Sequence, residues 1–124
     1  MVIIDGPPGI GCPVIASLSG VDLAVIVTEP TVSGIHDMMR VAEVAGHFKI
    51  RTGVVINKYD LNPGNAALIE KECSSRGIGM LGSIPFSSCV SAAIVKGVSP
   101  IEFCRDGVAG AITAIWEKVK NRIS

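Results

Sequence analysis

Residues 53–60 read Gly53-Val54-Val55-Ile56-Asn57-Lys58-Tyr59-Asp60, an apolar run that stops abruptly in polar side chains. A strand with one face in water alternates apolar and polar residues, whereas one covered by helices on both faces is apolar throughout. The run therefore predicts a parallel strand. The pattern recurs at Val2–Asp5, Leu23–Thr28 and Met80–Pro85, each rich in Val, Ile or Leu and each followed by turn residues.

Helical periods separate these runs. Ile35, Met38, Met39, Ala42 and Ala45 make one apolar stripe, with Asp37, Arg40 and Glu43 opposite. The methionines are read as core packing. A second helix is expected from Asn65, as N-cap, to Arg76, with Gly77 as its stop. Ser99-Pro100-Ile101-Glu102 sets a capping box around a proline suited to a first helical turn. A last helix is expected from about Gly107 to Arg122. Strands alternating with helices predict an α/β fold with a mostly parallel sheet flanked by helices and joined by right-handed crossovers.

The composition fits one small domain. The chain has 124 residues, 48% of them hydrophobic and 18% charged, with 14 Gly and 7 Pro. Such a length buries enough surface to fold without disulfides or a structural metal. Eleven basic residues balance eleven acidic ones, so there is no positive surplus for nucleic acid or an anionic membrane surface. No apolar stretch reaches the roughly 20 residues of a membrane span, and Met1 leads straight into an apolar run without a signal-peptide n-region, so a cytoplasmic protein is expected. Cys12, Cys73, Cys89 and Cys104 form no C-x-x-C pair, and reduced, mostly buried thiols are expected. His36 and His47 are read as surface or satisfied helix residues.

The chemistry is expected beyond the carboxyl ends of the strands, where parallel sheets place their ligand crevices. Gly6-Pro7-Pro8-Gly9-Ile10-Gly11 has the glycine spacing of a phosphate loop, but Cys12 and Pro13 stand where Lys and Ser or Thr would follow, so it is not a Walker A loop. Asp5, closing an apolar run, suits a carboxylate that holds a magnesium-bound water; the bland alternative is a turn-capping Asx residue. Asn57-Lys58-Tyr59-Asp60 suits purine recognition, the Asn amide bonding ring nitrogens and the Lys stem covering the ring. Its alternative is an ordinary polar loop.

Taken in order, Val2–Gly9, Leu23–Thr31, Val54–Lys58 and Ile84-Pro85, with downstream Ala93, Gly97 and Val98, resemble the carboxyl-terminal half of the MinD/ParA/Mrp deviant-Walker P-loop ATPases, above all MinD-like members with an inserted ferredoxin domain. The resemblance implies a partial P-loop NTPase-type, Rossmann-like domain over residues 1–124. It implies ATP and magnesium as ligands, Asp5 as the Walker B aspartate reaching magnesium through water, and Gly9 as the switch II glycine. Asn57 would contact adenine, with Lys58 and Asp60 beside it, and Pro85 would open the loop lining the far side of the base. The Walker A half and the ferredoxin insertion, with its 4Fe-4S clusters, are expected upstream of this chain, and the chain alone is expected to be inactive as an ATPase. Its partners would be nucleotide and either that upstream half or a second copy joined through the amino-terminal strand. Phe86-Ser87 replaces an acidic residue common after the proline. A non-catalytic interaction domain and a GTPase fragment, the latter suggested by the literal N-K-x-D, are the alternatives.

Overall fold

The computed structural model describes residues 1–9 and 11–123, so Ile10 of the glycine-spaced loop lies outside the described residues. In chain order the elements are α1 (Cys12–Leu18), β1 (Ala24–Thr28), α2 (Val32–His47), β2 (Thr52–Asn57), a 3-10 turn (Tyr59–Leu61), α3 (Pro63–Ser75), β3 (Gly79–Ile84), α4 (Ser88–Lys96), α5 (Pro100–Phe103) and α6 (Val108–Ile123). The sheet runs β1-β2-β3, parallel throughout. This is the α/β architecture that the apolar runs predicted.

Both faces of the central strand are covered. Val54 and Ile56 of β2 pack with Ile35 and Met38 of α2 and with Ile69 and Cys73 of α3. Val54, Ile56 and Ile69 are wholly buried, and each contributes about 1.5–3 kcal/mol by leaving water. On the other face α6 lies against β3. A register shift between Val54 and Val55 skips Leu81, leaving its side chain, wholly buried, over the Cα of Gly53. Gly82 follows at φ 153°, where a Cβ would meet Ile115 of α6 at 2.6 Å. Glycine there allows both the backbone kink and the close approach of the helix.

Helix boundaries follow capping chemistry. Thr31 caps α2, its hydroxyl accepting from the Gly34 N–H at 2.9 Å. The cap of α3 is Asn62 rather than Asn65: Asn62 Oδ1 accepts from the Asn65 N–H at 3.0 Å, and Pro63 takes the first helical position. Proline lacks the N–H that a helix start leaves unpaired, so the helix begins earlier than the apolar pattern suggested. Gly77 stands past the end of α3 at φ 69°, as the stop signal required. Ser99 caps α5 as expected, but this helix is a single turn.

Two expectations are corrected. Val2–Asp5 is not a strand: it belongs to no ladder, and Val2, Ile3 and Ile4 are exposed. Apolar side chains favour a strand only where a neighbouring strand offers backbone partners and a packed face offsets the ordering entropy. The thiols are not all reduced: Cys89 and Cys104 form a disulfide, while Cys12 is free and exposed and Cys73 free and buried.

The outer side of the sheet is bare at β1. Ile26 faces the α2 and α3 core, so by alternation Val25 and Val27 face the other way, and they are 41% and 62% exposed. β1 pairs only with β2, and its second backbone edge is free among the described residues.

Candidate functional site

Three strands bring their carboxyl ends to one edge, and the segments leaving them are tied together. Beyond β1, Glu29 forms an ion pair with Lys58, Oε1 to Nζ at 3.2 Å. Both side chains are well exposed, so the pair orients more than it stabilises. The Asn65 amide on α3 donates to the Pro30 carbonyl at 3.1 Å. Beyond β2, Lys58 has a left-handed backbone, φ 55° and ψ 42°, which turns the chain into the 3-10 turn carrying Asp60. Asp60 Oδ1 in turn accepts from the Phe86 N–H, beyond β3, at 2.8 Å.

Asn57, Lys58, Asp60 and Pro85 therefore share one edge. Asn57 ends β2 half-buried, and Phe86, next to Pro85, is 51% exposed beside Asp60. One carboxylate oxygen of Asp60 is already occupied by a loop contact with a residue 26 positions away. The alternative was an ordinary polar loop, whose contacts would be local; the partner of Asp60 is distant in the chain.

Asp5 and Gly9 are not brought to that edge by sheet pairing. Asp5 is exposed in the segment that forms no strand, and Gly9 is exposed with φ 100°. A backbone of that sign suits glycine. Among the described residues no three His, Cys, Asp or Glu side chains converge to hold a metal.

A second cluster lies just past Phe86. Ser87 caps α4, its hydroxyl accepting from the Cys89 N–H at 3.1 Å and donating to Asp106 Oδ2. Asp106 Oδ1 accepts from the Val108 N–H at 3.4 Å as α6 begins. The Ser87 hydroxyl beside it, then the Val108 N–H, holds the Asp106 carboxyl below its ordinary pKa. These contacts and the disulfide escaped the sequence reading, although Ser87 before an apolar helix ended by Gly97 was a legible cap signal.

Two concavities, of about 270 and 340 Å³, lie elsewhere. One is between α1 and α2, around Val14, Ile15 and Val44; the other is at the amino ends of β2 and β3, around Arg51, Thr52 and Arg76. Neither contains the residues at the carboxyl edge. The edge is favoured as the site on its chemistry, because it gathers the amide, ammonium and carboxylate groups that the concavities lack in combination.

The three parallel strands, their flanking helices and the shared carboxyl edge match solved structures. The cell division ATPase MinD of Pyrococcus furiosus superposes with a TM-score of 0.75 at 22% identity, over 94% of this chain and 50% of that one. The fold is MinD-like. The MinD cell division protein of Aquifex aeolicus gives a TM-score of 0.79 at 22% identity, covering 94% and 51%. The Pyrococcus horikoshii septum site-determining protein MinD, complexed with Mg-ADP, gives 0.77 at 20% identity, covering 93% and 48%. In sequence, the chain is 33% identical over 121 residues to the uncharacterised protein MJ0578 of Methanocaldococcus jannaschii, and 29% identical over 101 residues to MJ0579 of the same organism. It spans 40% and 33% of the length of these curated relatives and about half of the MinD structures. No family model matches it.

Proposed function

We propose that residues 1–124 are the carboxyl-terminal portion of a MinD-like ATP-binding domain, a nucleotide-dependent switch whose phosphate loop comes from an upstream half of the same protein. The supporting observation is the carboxyl edge itself: Glu29 to Lys58 and Asp60 to Phe86 bind three strand exits into one platform, with Asn57 at its centre. In this reading the Asn57 amide reads the base, the Lys58 stem covers it, and Pro85 and Phe86 form its far wall. Asp5 carries a magnesium-bound water and Gly9 follows the γ-phosphate; both act only once the upstream half has ordered the amino-terminal segment. The free edge of β1 and the bare Val25 and Val27 fit a fold completed there.

Adenine is the proposed base. Guanine recognition by N-K-x-D requires the Asp carboxylate to accept from two guanine N–H groups, and here Phe86 already takes one of the Asp60 oxygens. Magnesium and the phosphate loop supply charge stabilisation for phosphoryl transfer when bound. This chain has no Walker A lysine, and by itself it leaves ATP intact. Coupling to iron–sulfur chemistry belongs to the same proposal and rests on the resemblance alone. So does a cytoplasmic location; among the described residues no helix is long and apolar enough to cross a membrane.

Equilibrium binding of a fluorescent methylanthraniloyl-ADP to the protein joined to its upstream half tests the reading. Binding weakened about tenfold or more by Asn57→Ala, and displaced by ATP better than by GTP, supports it. Displacement by GTP over ATP, with that preference lost in Asp60→Asn, promotes the GTPase alternative. No binding by the joined, folded protein leaves the interaction domain.

A further inference from the structure

Between β3 and α6 the chain makes an excursion that returns to its origin. It leaves the sheet through Pro85, Phe86 and Ser87, runs along α4, turns at Gly97 (φ 70°), passes through the single turn of α5 and reaches Cys104. There the disulfide joins Cys104 to Cys89 in the first turn of α4, 15 residues earlier, with their Cα atoms 5.8 Å apart.

We propose that Cys89 and Cys104 form a reversible redox latch that sets the rigidity of the wall formed by Pro85, Phe86 and Ser87. The effect on nucleotide rests on the function proposed above; the latch itself does not. Three observations carry it. First, the bond is seated in an apolar cluster: Ala93, Cys104 and Val108 are buried together, with Ile84, Val90, Phe103 and Ile112 around them, and a thiol packs in such a setting as a small apolar group. Second, the two sulfurs differ in access: Cys104 is 1% exposed, whereas Cys89 is only half-buried. Third, the bond runs beside the hydrogen bond from Ser87 to Asp106, and Ser87 adjoins Phe86, whose N–H is held by Asp60. Opening the disulfide leaves the start of α4 held toward the start of α6 by that side-chain hydrogen bond and the shared apolar packing, without a covalent tie. In a reducing compartment a disulfide so placed has a redox-sensing rather than a structural use.

The exchange balances with a small-molecule disulfide as oxidant. The Cys89 thiolate attacks one sulfur of glutathione disulfide, forming a mixed disulfide and releasing one glutathione thiolate. The Cys104 thiol, giving up its proton, then attacks the Cys89 sulfur and expels the second glutathione. Two protein thiols are oxidised and one glutathione disulfide is reduced to two thiols. Reduction runs in reverse, entering at the accessible Cys89.

The intact protein is equilibrated with glutathione disulfide or with excess reduced glutathione, then quenched. Peptide mapping after alkylation in denaturant reads the thiols, and amide hydrogen exchange reads the wall. We expect Cys89 and Cys104 to be joined in the first sample and both alkylated in the second. Exchange at residues 86–90 should be about tenfold faster in the reduced sample, while residues 52–57 change less than about twofold. In Cys104→Ser the glutathione adduct should accumulate on Cys89; in Cys89→Ser none should form on Cys104. Both thiols free under glutathione disulfide, or equal exchange at 86–90 in the two samples, overturns the latch. Because the wild-type comparison carries the test, a variant that fails to fold does not obscure it. Methylanthraniloyl-ADP binding to the joined protein adds a separate arm: no binding in either state counts against the proposed function, while the exchange result still decides the latch.

Discussion

The Asp60 carboxylate accepts a hydrogen bond of 2.8 Å from the backbone N–H of Phe86. It thereby couples the loop after the second strand to the loop after the third. Parallel strands have no hairpins to hold their exits together, so such a bond fixes the spacing of groups that meet at a common edge.

Asp60 is expected to act as a loop clamp. Asp60→Asn keeps an acceptor oxygen and should cost little, whereas Asp60→Ala leaves the Phe86 N–H to water and should cost about 1 kcal/mol, the net value of one exposed hydrogen bond. Urea unfolding of the two variants measures the difference. Equal stability of Asp60→Ala and wild type would show that the bond orders nothing.

Gly34 and Gly46 lie in the same helix but should respond oppositely to alanine. A Cβ on Gly34 would come within 2.5 Å of the Glu29 carbonyl oxygen and 2.9 Å of Thr31 Oγ1, whereas one on Gly46 meets nothing within 4 Å. Gly34→Ala should destabilise by about 1–3 kcal/mol through overpacking. Gly46→Ala should be neutral or stabilise by up to about 1 kcal/mol through helix propensity. Chemical denaturation of both variants gives the two signs.

Cys73 and Cys12 should differ in reactivity. Burial above all, then the nearby Glu72, pushes the Cys73 thiol above its ordinary pKa despite the opposing charge of Arg76. It therefore offers little thiolate and no access, while Cys12 is exposed. Under native conditions an alkylating reagent should label Cys12 at least about a hundredfold faster than Cys73. Comparable rates would place Cys73 in a region that opens readily.

Asp106 makes a stability contribution with a defined pH dependence. Its folded pKa lies below the ordinary 3.8 because the ionised form accepts from the Ser87 hydroxyl and the Val108 N–H. The folded state thus prefers the carboxylate. The contribution is complete above the ordinary value and is lost as pH falls through the lower, folded one. The melting-temperature gap between wild type and Asp106→Asn should be widest near neutral pH and close in acid below that range. A gap that stays constant into acid would remove the ionised carboxylate from the account.

The sequence by itself determined the fold class and most of the edge. Three continuous apolar runs, Leu23–Thr28, Gly53–Asn57 and Met80–Pro85, became parallel strands; burial on both faces accounts for the central one, whereas Val25 and Val27 of β1 stay exposed on the outer side. The polar residues that end those runs, Asn57, Lys58 and Asp60, were legible as a group because a parallel sheet sends all its carboxyl ends to one side. Tertiary structure decided whatever required a partner distant in the chain. Val2–Asp5 has the composition of a strand and is not one, because a strand exists only in a ladder. Asp60 found Phe86, Lys58 found Glu29 and Cys89 found Cys104, across separations on which local propensity carries no information. A hydrogen bond, an ion pair or a disulfide forms only where folding has already brought both groups within a few ångströms, and that proximity belongs to the packed sheet and helices rather than to either residue's neighbours in the sequence.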